Sequence, residues 1–109
     1  MKLQFFLKRR DRGRSIRYTL QAPDGSAIDL TGASVRFLMS NHETGAAVVA
    51  AAATIVTPIS GIVQYDWQDN DVLAAGIFDG EFEVTYPDSR TETFPNYSYI
   101  EIIISGDLG

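Results

Sequence analysis

Glu81 and Glu83 are the two residues of this sequence whose types and spacing best fit acid–base chemistry. Residues two apart on a β-strand project from the same face, with Cα atoms about 6.5–7 Å apart. Two carboxyl groups at such a separation can cleave a glycosidic bond when a cleft raises the pKa of one of them. Here Phe82 and Val84 alternate with the glutamates, which places both carboxyl groups on the solvent-facing side. We therefore expect them to be solvated and not catalytic.

His42, the only histidine, lies beside Glu43 in a predicted loop over residues 41–45. The chain has no cysteine, which excludes thiol catalysis, disulfide bonds and a cysteine-ligated zinc site. A transition-metal site would then need carboxylates around one imidazole. We expect a solvated loop histidine and no metal.

Asp66, Asp69, Asn70 and Asp71 form the densest group of oxygen ligands. Calcium binds closely spaced Asp and Asn, but the glycine and glutamate positions of an EF-hand loop are missing. We expect Asp69 or Asn70 to cap a following helical turn and Asp66 to face solvent. A weak surface cation site is the alternative.

Nucleophile and phosphate motifs are also missing. No serine lies in a Gly-x-Ser-x-Gly pattern, and the glycines at 76 and 80 enclose an acid in a strand-like context. The sequence therefore indicates a protein that is not an enzyme, with no catalytic, cofactor or metal residues.

Charge divides the chain sharply. Residues 1–17 hold seven of the nine Lys and Arg against one acid, whereas the remaining chain holds thirteen acids, for a net charge of −5. Such an asymmetry favours contacts between copies or with an acidic partner. The predicted partner-binding residues, here called the basic segment, are Lys8, Arg9, Arg10, Arg12 and Arg14. Nucleic acid is a less favoured partner, because the acidic body would repel a duplex.

Alternation of apolar and polar residues is the main structural signal. It predicts half-buried strands at 3–7, 15–22, 33–39, 62–68, 77–86 and 98–105. Segment 46–57 is ambiguous: four alanines favour a helix, but flanking valines and isoleucines lead us to predict a strand. Residues 69–76 are predicted to form one capped helical turn.

Seven or eight short strands at this spacing predict an all-β fold, an immunoglobulin-like antiparallel β-sandwich with one short helical turn. A small barrel is the alternative. At 109 residues we expect one domain: a basic N-terminal arm or first strand at 1–14, then a single sandwich domain at 15–109. No apolar run is long enough to span a bilayer, and the N-terminus lacks the order of a signal peptide, so we expect no membrane association and folding in a cytoplasm.

Several short sequence motifs, taken in their order along the chain, resemble those of the N-terminal domain of phage baseplate upper (BppU-like) proteins. They are Asp–Gly at 24–25, Ile–Asp–Leu–Thr–Gly at 28–32, Gly–x–Val–x–Tyr–x–Trp at 61–67, Asp at 71, Gly–Ile–Phe at 76–78, Glu–Phe–Glu–Val at 81–84, Thr–Phe–Pro at 93–95 and a last strand over 102–108. The resemblance covers about residues 15–108.

The resemblance implies a virion structural protein that attaches a receptor-binding or fibre module to the tail or baseplate. Its implied partners are other tail and baseplate proteins, in an oligomer for which a trimer is favoured. The implied location is the virion, after assembly in the host cytoplasm. The alternative is a glycan-binding sandwich, for which Tyr97 and Tyr99 are the candidate contacts.

Overall fold

The computed structural model describes residues 3–106, which form two packed β-sheets. Its elements are β1 (Leu3–Lys8), β2 (Ile16–Thr19), β3 (Ser34–Asn41), β4 (Ala47–Ala52), β5 (Thr54–Thr57), a 3₁₀ turn (Pro58–Ser60), β6 (Ile62–Tyr65), β7 (Gly76–Thr85), β8 (Thr91–Phe94) and β9 (Ile100–Ser105). The predicted all-β sandwich is confirmed, and the described residues form nine strands. Its immunoglobulin-like subtype stays a prediction. Met1 and Lys2 of the predicted arm and residues 107–109 of the predicted domain lie outside the described residues.

The larger sheet has the strand order β1-β9-β7-β3-β4, with β8 also paired to β7, and the smaller has the order β2-β6-β5. All named pairs are antiparallel except β1 with β9, which is parallel. The parallel pair departs from the wholly antiparallel sandwich that we expected. No tight hairpin joins β1 to β9, so no turn forces the two strands into opposite directions.

The alanine-rich segment 46–57 is a strand, as predicted, and it contributes to both sheets. It runs as β4 in the larger sheet, passes through Ala53, and continues as β5 in the smaller sheet. The Ala53 amide donates to the Val35 carbonyl at 2.9 Å, which holds the crossing point against β3. Burial of Val49 in the core supplies the tertiary contact that outweighs the helical propensity of the alanines.

The helical turn predicted at 69–76 is wrong in its position. That segment forms non-helical turns, and the helical turn of the described chain lies at Pro58–Ser60, where proline has the φ that a first helical position needs. Val72 is buried, and its carbonyl accepts a hydrogen bond from the Arg10 amide at 2.6 Å. These tertiary contacts fix the backbone of the segment in a non-helical path.

Aromatic rings join the two sheets at the centre of the sandwich. Phe37 of β3 stacks on Tyr65 of β6 with ring centroids 4.8 Å apart, and it meets Phe82 at 5.0 Å and the edge of Trp67 at 5.7 Å. Tyr18 of β2 stacks on Phe82 at 6.2 Å. Offset and edge-on aromatic contacts of this kind add to the stabilisation that burial provides.

Candidate functional site

The basic segment continues directly from strand β1 and folds back onto the body of the domain. The Asp11 amide donates to the Lys8 carbonyl at 3.0 Å, which closes a turn whose third residue, Arg10, has a left-handed φ of 70°. The Arg9 amide donates to the Ser105 carbonyl at 2.7 Å. With the bond from Arg10 to Val72, these contacts place the turn at the end of β1 and β9.

Two arginines of the segment are engaged within the domain. Arg12 forms an ion pair with Asp69 at 2.6 Å, although both side chains are largely exposed. Arg14 donates from Nη2 to the Phe6 carbonyl at 3.0 Å, and its guanidinium lies 5.3 Å from the centre of the Phe5 ring. Cation–π contacts of this kind contribute about 0.5–1 kcal/mol at exposed sites. Arg14 therefore helps to hold the loop against β1, and Arg12 connects it to the loop between β6 and β7.

Lys8 and Arg10 are the members of the segment whose charge remains available. Both are exposed, and neither side chain has an ion-pair or hydrogen-bond partner within residues 3–106. Arg9, by contrast, is partly buried and takes part in contacts of its own. The structure thus divides the five predicted residues into those that hold the loop and those that can meet a partner.

A cleft of about 480 Å³ opens beside this turn. Its lining is Phe6, Leu7, Lys8, Asp11, Gly13, Arg14 and Ser105. The cleft combines an apolar wall with two cationic side chains and a single acid, so it is suited to a carboxylate that arrives on an apolar segment.

The structure does not bring the predicted oxygen ligands together. Asp66 accepts hydrogen bonds from Ser15 and Gln64, which lower its pKa, and Asp69 pairs with Arg12 as described. No group of three histidines or carboxylates within residues 3–106 is arranged to hold a metal ion.

The helix cap predicted at Asp69 or Asn70 is wrong, because no helical turn follows these residues. Asp71 accepts from the Gln68 amide at 2.8 Å and from the Tyr65 hydroxyl at 2.5 Å. Burial, followed by the Asp71 hydrogen bond and charge, raises the pKa of Tyr65. Asp71 thus closes the non-helical turn that begins at Gln68.

His42 has a specific partner that sequence reasoning missed. Its Nδ1 lies 3.0 Å from both carboxylate oxygens of Asp79, and its amide donates to the Ile77 carbonyl at 3.0 Å. The imidazole is exposed. Only the register of β3 on β7, which pairs Ser40 with Asp79, brings the two residues together.

Glu81 and Glu83 lie on the outer face of β7, as the alternation predicts, but their surroundings differ. Arg36 donates from Nε and Nη2 to Glu83 at 3.1 and 2.8 Å. Burial, then the charges of Glu83 and Asp79, raises the pKa of Glu81.

The charge on Glu81 is therefore expected to destabilise the fold at neutral pH. A carboxyl group whose pKa is raised by folding opposes folding when it is ionised, and the penalty disappears once the pH falls below the pKa of the unfolded chain, about 4.3. Glu81→Gln should raise the melting temperature at pH 7 and give no gain below pH ~4. Glu83→Gln is the control and should give no comparable gain in melting temperature, because the relief of its repulsion of Glu81 is offset by the loss of the Arg36 contact. An equal gain for Glu81→Gln at both pH values would contradict this assignment.

Tyr97 and Tyr99 lie in the loop between β8 and β9. The two strands pair with successive halves of β7, so residues 95–99 project outward opposite Glu81. Tyr97 is 78% exposed and Tyr99 is 51% exposed. Both line a shallow cleft of about 310 Å³ with Asn96 and Glu81, and Tyr99 also borders the cleft at His42.

The protein is thus a β-sandwich with two exposed candidate binding surfaces. One is the basic segment at the end of β1, and the other is the loop between β8 and β9. The chain matches the family model of the BppU N-terminal domain over residues 8–100. It belongs to that family, and is thus a phage baseplate-associated structural protein.

The fold is similar to that of a protein of known structure. The chain is similar to CopC from Methylosinus trichosporium OB3b, with a TM-score of 0.56 and 15% identity over 99% of this chain and 89% of CopC. At that identity the likeness shows the fold alone. Comparison with curated proteins gives no match. Residues 3–106 contain no helix with the length and hydropathy to cross a membrane.

Proposed function

We propose that this chain is an adaptor domain that attaches a receptor-binding or fibre module to the phage tail or baseplate. The family match over residues 8–100 is the observation that carries the proposal. In this proposal residues 1–14, which include strand β1 of the larger sheet, supply the docking strand and turn, and residues 15–109 supply the other strands of the sandwich. The domain works as a homo-oligomer, with a trimer favoured, assembled in the host cytoplasm and carried in the virion.

The docking contact in this proposal is made by the basic segment, through Lys8 and Arg10 above all. Both cations stand at the end of β1 with no internal acidic partner in the described chain. A partner that supplies carboxylates would gain association rate and specificity from them.

Reversing these charges tests the docking contact. The double variant Lys8→Glu with Arg10→Glu is expected to lower incorporation into phage particles at least about tenfold, because like charges at an interface cost several kcal/mol. Its melting temperature should stay near that of the wild type. Incorporation is measured by quantitative mass spectrometry of purified virions from a complemented deletion phage.

The matched control is Arg17→Glu with Arg90→Glu, which changes the net charge equally at exposed arginines elsewhere. Arg17 contacts Gln64 and Arg90 contacts Asp88, so neither belongs to the basic segment. Equal incorporation of both double variants would remove the basic segment from the proposal. Immunogold label on the head, with none at the tail end, would remove the adaptor function itself.

Glycan binding is a second candidate function, favoured by the exposure of Tyr97 and Tyr99 beside Asn96 and Glu81. Aromatic rings with nearby amide and carboxylate groups suit a sugar ring and its hydroxyl groups. A glycan array with the wild type and Tyr97→Ala/Tyr99→Ala separates the two candidates. Binding that the double variant loses would support the glycan function, and an array without signal would discard it.

A further inference from the structure

Strand β1 leaves one edge of the larger sheet open. Among the described strands it pairs only with β9. Successive residues of a strand direct their backbone N–H and C=O groups to opposite sides of the strand. The Arg9 amide points toward β9, because it donates to the Ser105 carbonyl. The amides of Gln4, Phe6 and Lys8 therefore face the open side, and the bond from Arg14 to the Phe6 carbonyl reaches that side.

Part of this edge is already occupied by the protein itself. The Phe6 carbonyl accepts a hydrogen bond from the Arg14 side chain, and the Lys8 carbonyl accepts one from the Asp11 amide. The amide nitrogens of Phe6 and Lys8 have no acceptor within residues 3–106. Exposed edge groups of this kind are templates for an added strand.

The side chains around the edge specify the chemistry of such a strand. Phe6 is 56% exposed and is in register with Ile103, which is in register with Ile77. The three form an apolar row across β1, β9 and β7 on the outer face of the sheet. Lys8 and Arg14 stand at one end of this row, in the cleft described above.

We propose that the open edge of β1 binds, by strand addition, an extended segment of a different protein in which acidic and apolar side chains alternate. The apolar side chains would cover Phe6, and a carboxylate would meet Lys8, whose charge has no partner within residues 3–106. This inference rests on the proposed adaptor function, for which it names the type of partner and the mode of contact.

Charge complementarity favours a different protein over an edge strand of a second copy of this chain as the occupant. A second β1 would add only basic charge, because that strand contains Lys8 and no acid. The other edge strands, β4 and β5, have no charged residue, and β2 carries Arg17. The acid of β8, Glu92, already accepts hydrogen bonds from Tyr86 and Asn96.

Proline at position 6 tests the edge itself. Phe6→Pro removes an amide that β9 does not use, and proline is tolerated where the amide side of an edge strand faces outward. Phe6→Ala is the matched control, because it loses the same ring but keeps the amide. We expect Phe6→Pro to enter phage particles at least about tenfold less than Phe6→Ala, with equal melting temperatures. Equal incorporation of the two variants would overturn the inference.

A peptide experiment tests the same edge in the isolated protein. The probe is a synthetic ten-residue peptide of alternating glutamate and valine, and its control replaces every glutamate by lysine. We expect the acidic peptide to slow amide hydrogen exchange at Phe6 and Lys8 at least fivefold, while the basic peptide leaves it unchanged. Equal exchange with both peptides would overturn the inference even if Phe6→Pro did not fold.

The two proposals fail in different ways. If Lys8→Glu with Arg10→Glu is lost from particles while Phe6→Pro enters them normally, the adaptor function stands and strand addition is wrong. If the wild-type chain is missing from particles, the adaptor function is wrong, and the peptide experiment alone decides whether the edge accepts an acidic strand.

Discussion

Phe37→Ala is expected to lower the free energy of unfolding by about 3–5 kcal/mol, which is the range for removing a fully buried phenylalanine. The ring has 0% exposure and contacts Tyr65, Trp67 and Phe82 from both sheets. Its loss would leave a cavity between the sheets and remove the contact that joins β3 to β6. Chemical denaturation followed by tryptophan fluorescence measures the change, because Trp67 lies against the cavity.

Phe6→Ala provides the comparison, since the same atoms are removed from a ring on the outer face of the sheet. We expect a loss below about 1 kcal/mol there, because much of that ring is exposed to solvent in the folded state. Similar losses at positions 6 and 37 would contradict the packing described for the core.

Gly61→Ala is expected to cost about 2–5 kcal/mol. Gly61 has a φ of 68°, a left-handed conformation that costs other residues about 1–2 kcal/mol. A Cβ at this position would lie 2.7 Å from the Leu20 carbonyl oxygen and 2.9 Å from that of Ile28. Both contacts are with backbone, which cannot rotate away as a side chain can, so overpacking adds about 1–3 kcal/mol. Thermal unfolding followed by circular dichroism measures the loss.

Gly25→Ala separates the two contributions. Gly25 also has a left-handed φ, 87°, but a Cβ there meets no atom within 4 Å. We expect this variant to lose only the conformational part, about 1–2 kcal/mol. An equal loss at both glycines would show that the backbone around Gly61 can move apart.

Local patterns in the sequence were enough to predict the strands with one buried face. β7 is the clearest example, because Phe78, Phe82 and Val84 point into the core while Glu81 and Glu83 point outward. The half-buried strand β6 and the strand over 46–57 were also predicted correctly. These elements depend on side-chain alternation, which a sequence displays directly.

Contacts between distant segments could not be predicted in this way. The parallel pairing of β1 with β9 and the contact of His42 with Asp79 both depend on strand register, which neighbouring residues do not encode. The helical turn was misplaced for the same reason, since the partner of Val72 is the amide of Arg10, more than sixty residues earlier. The basic segment was visible as charge, but its division into loop-holding and available residues required the fold.

The parallel pair at the two ends of the described chain has a mechanical consequence. Leu3 is paired with Ile100 and Lys8 with Ser105, so the chain enters β1 at one end of the pair and leaves β9 at the other. Tension applied before Leu3 and after Ser105 pulls these neighbours past each other along their length. All six registered pairs then share the load at once, whereas a hairpin pulled from its open end would lose its bonds one by one. The parallel pair therefore resists such a pull by shear along its whole length and does not unzip.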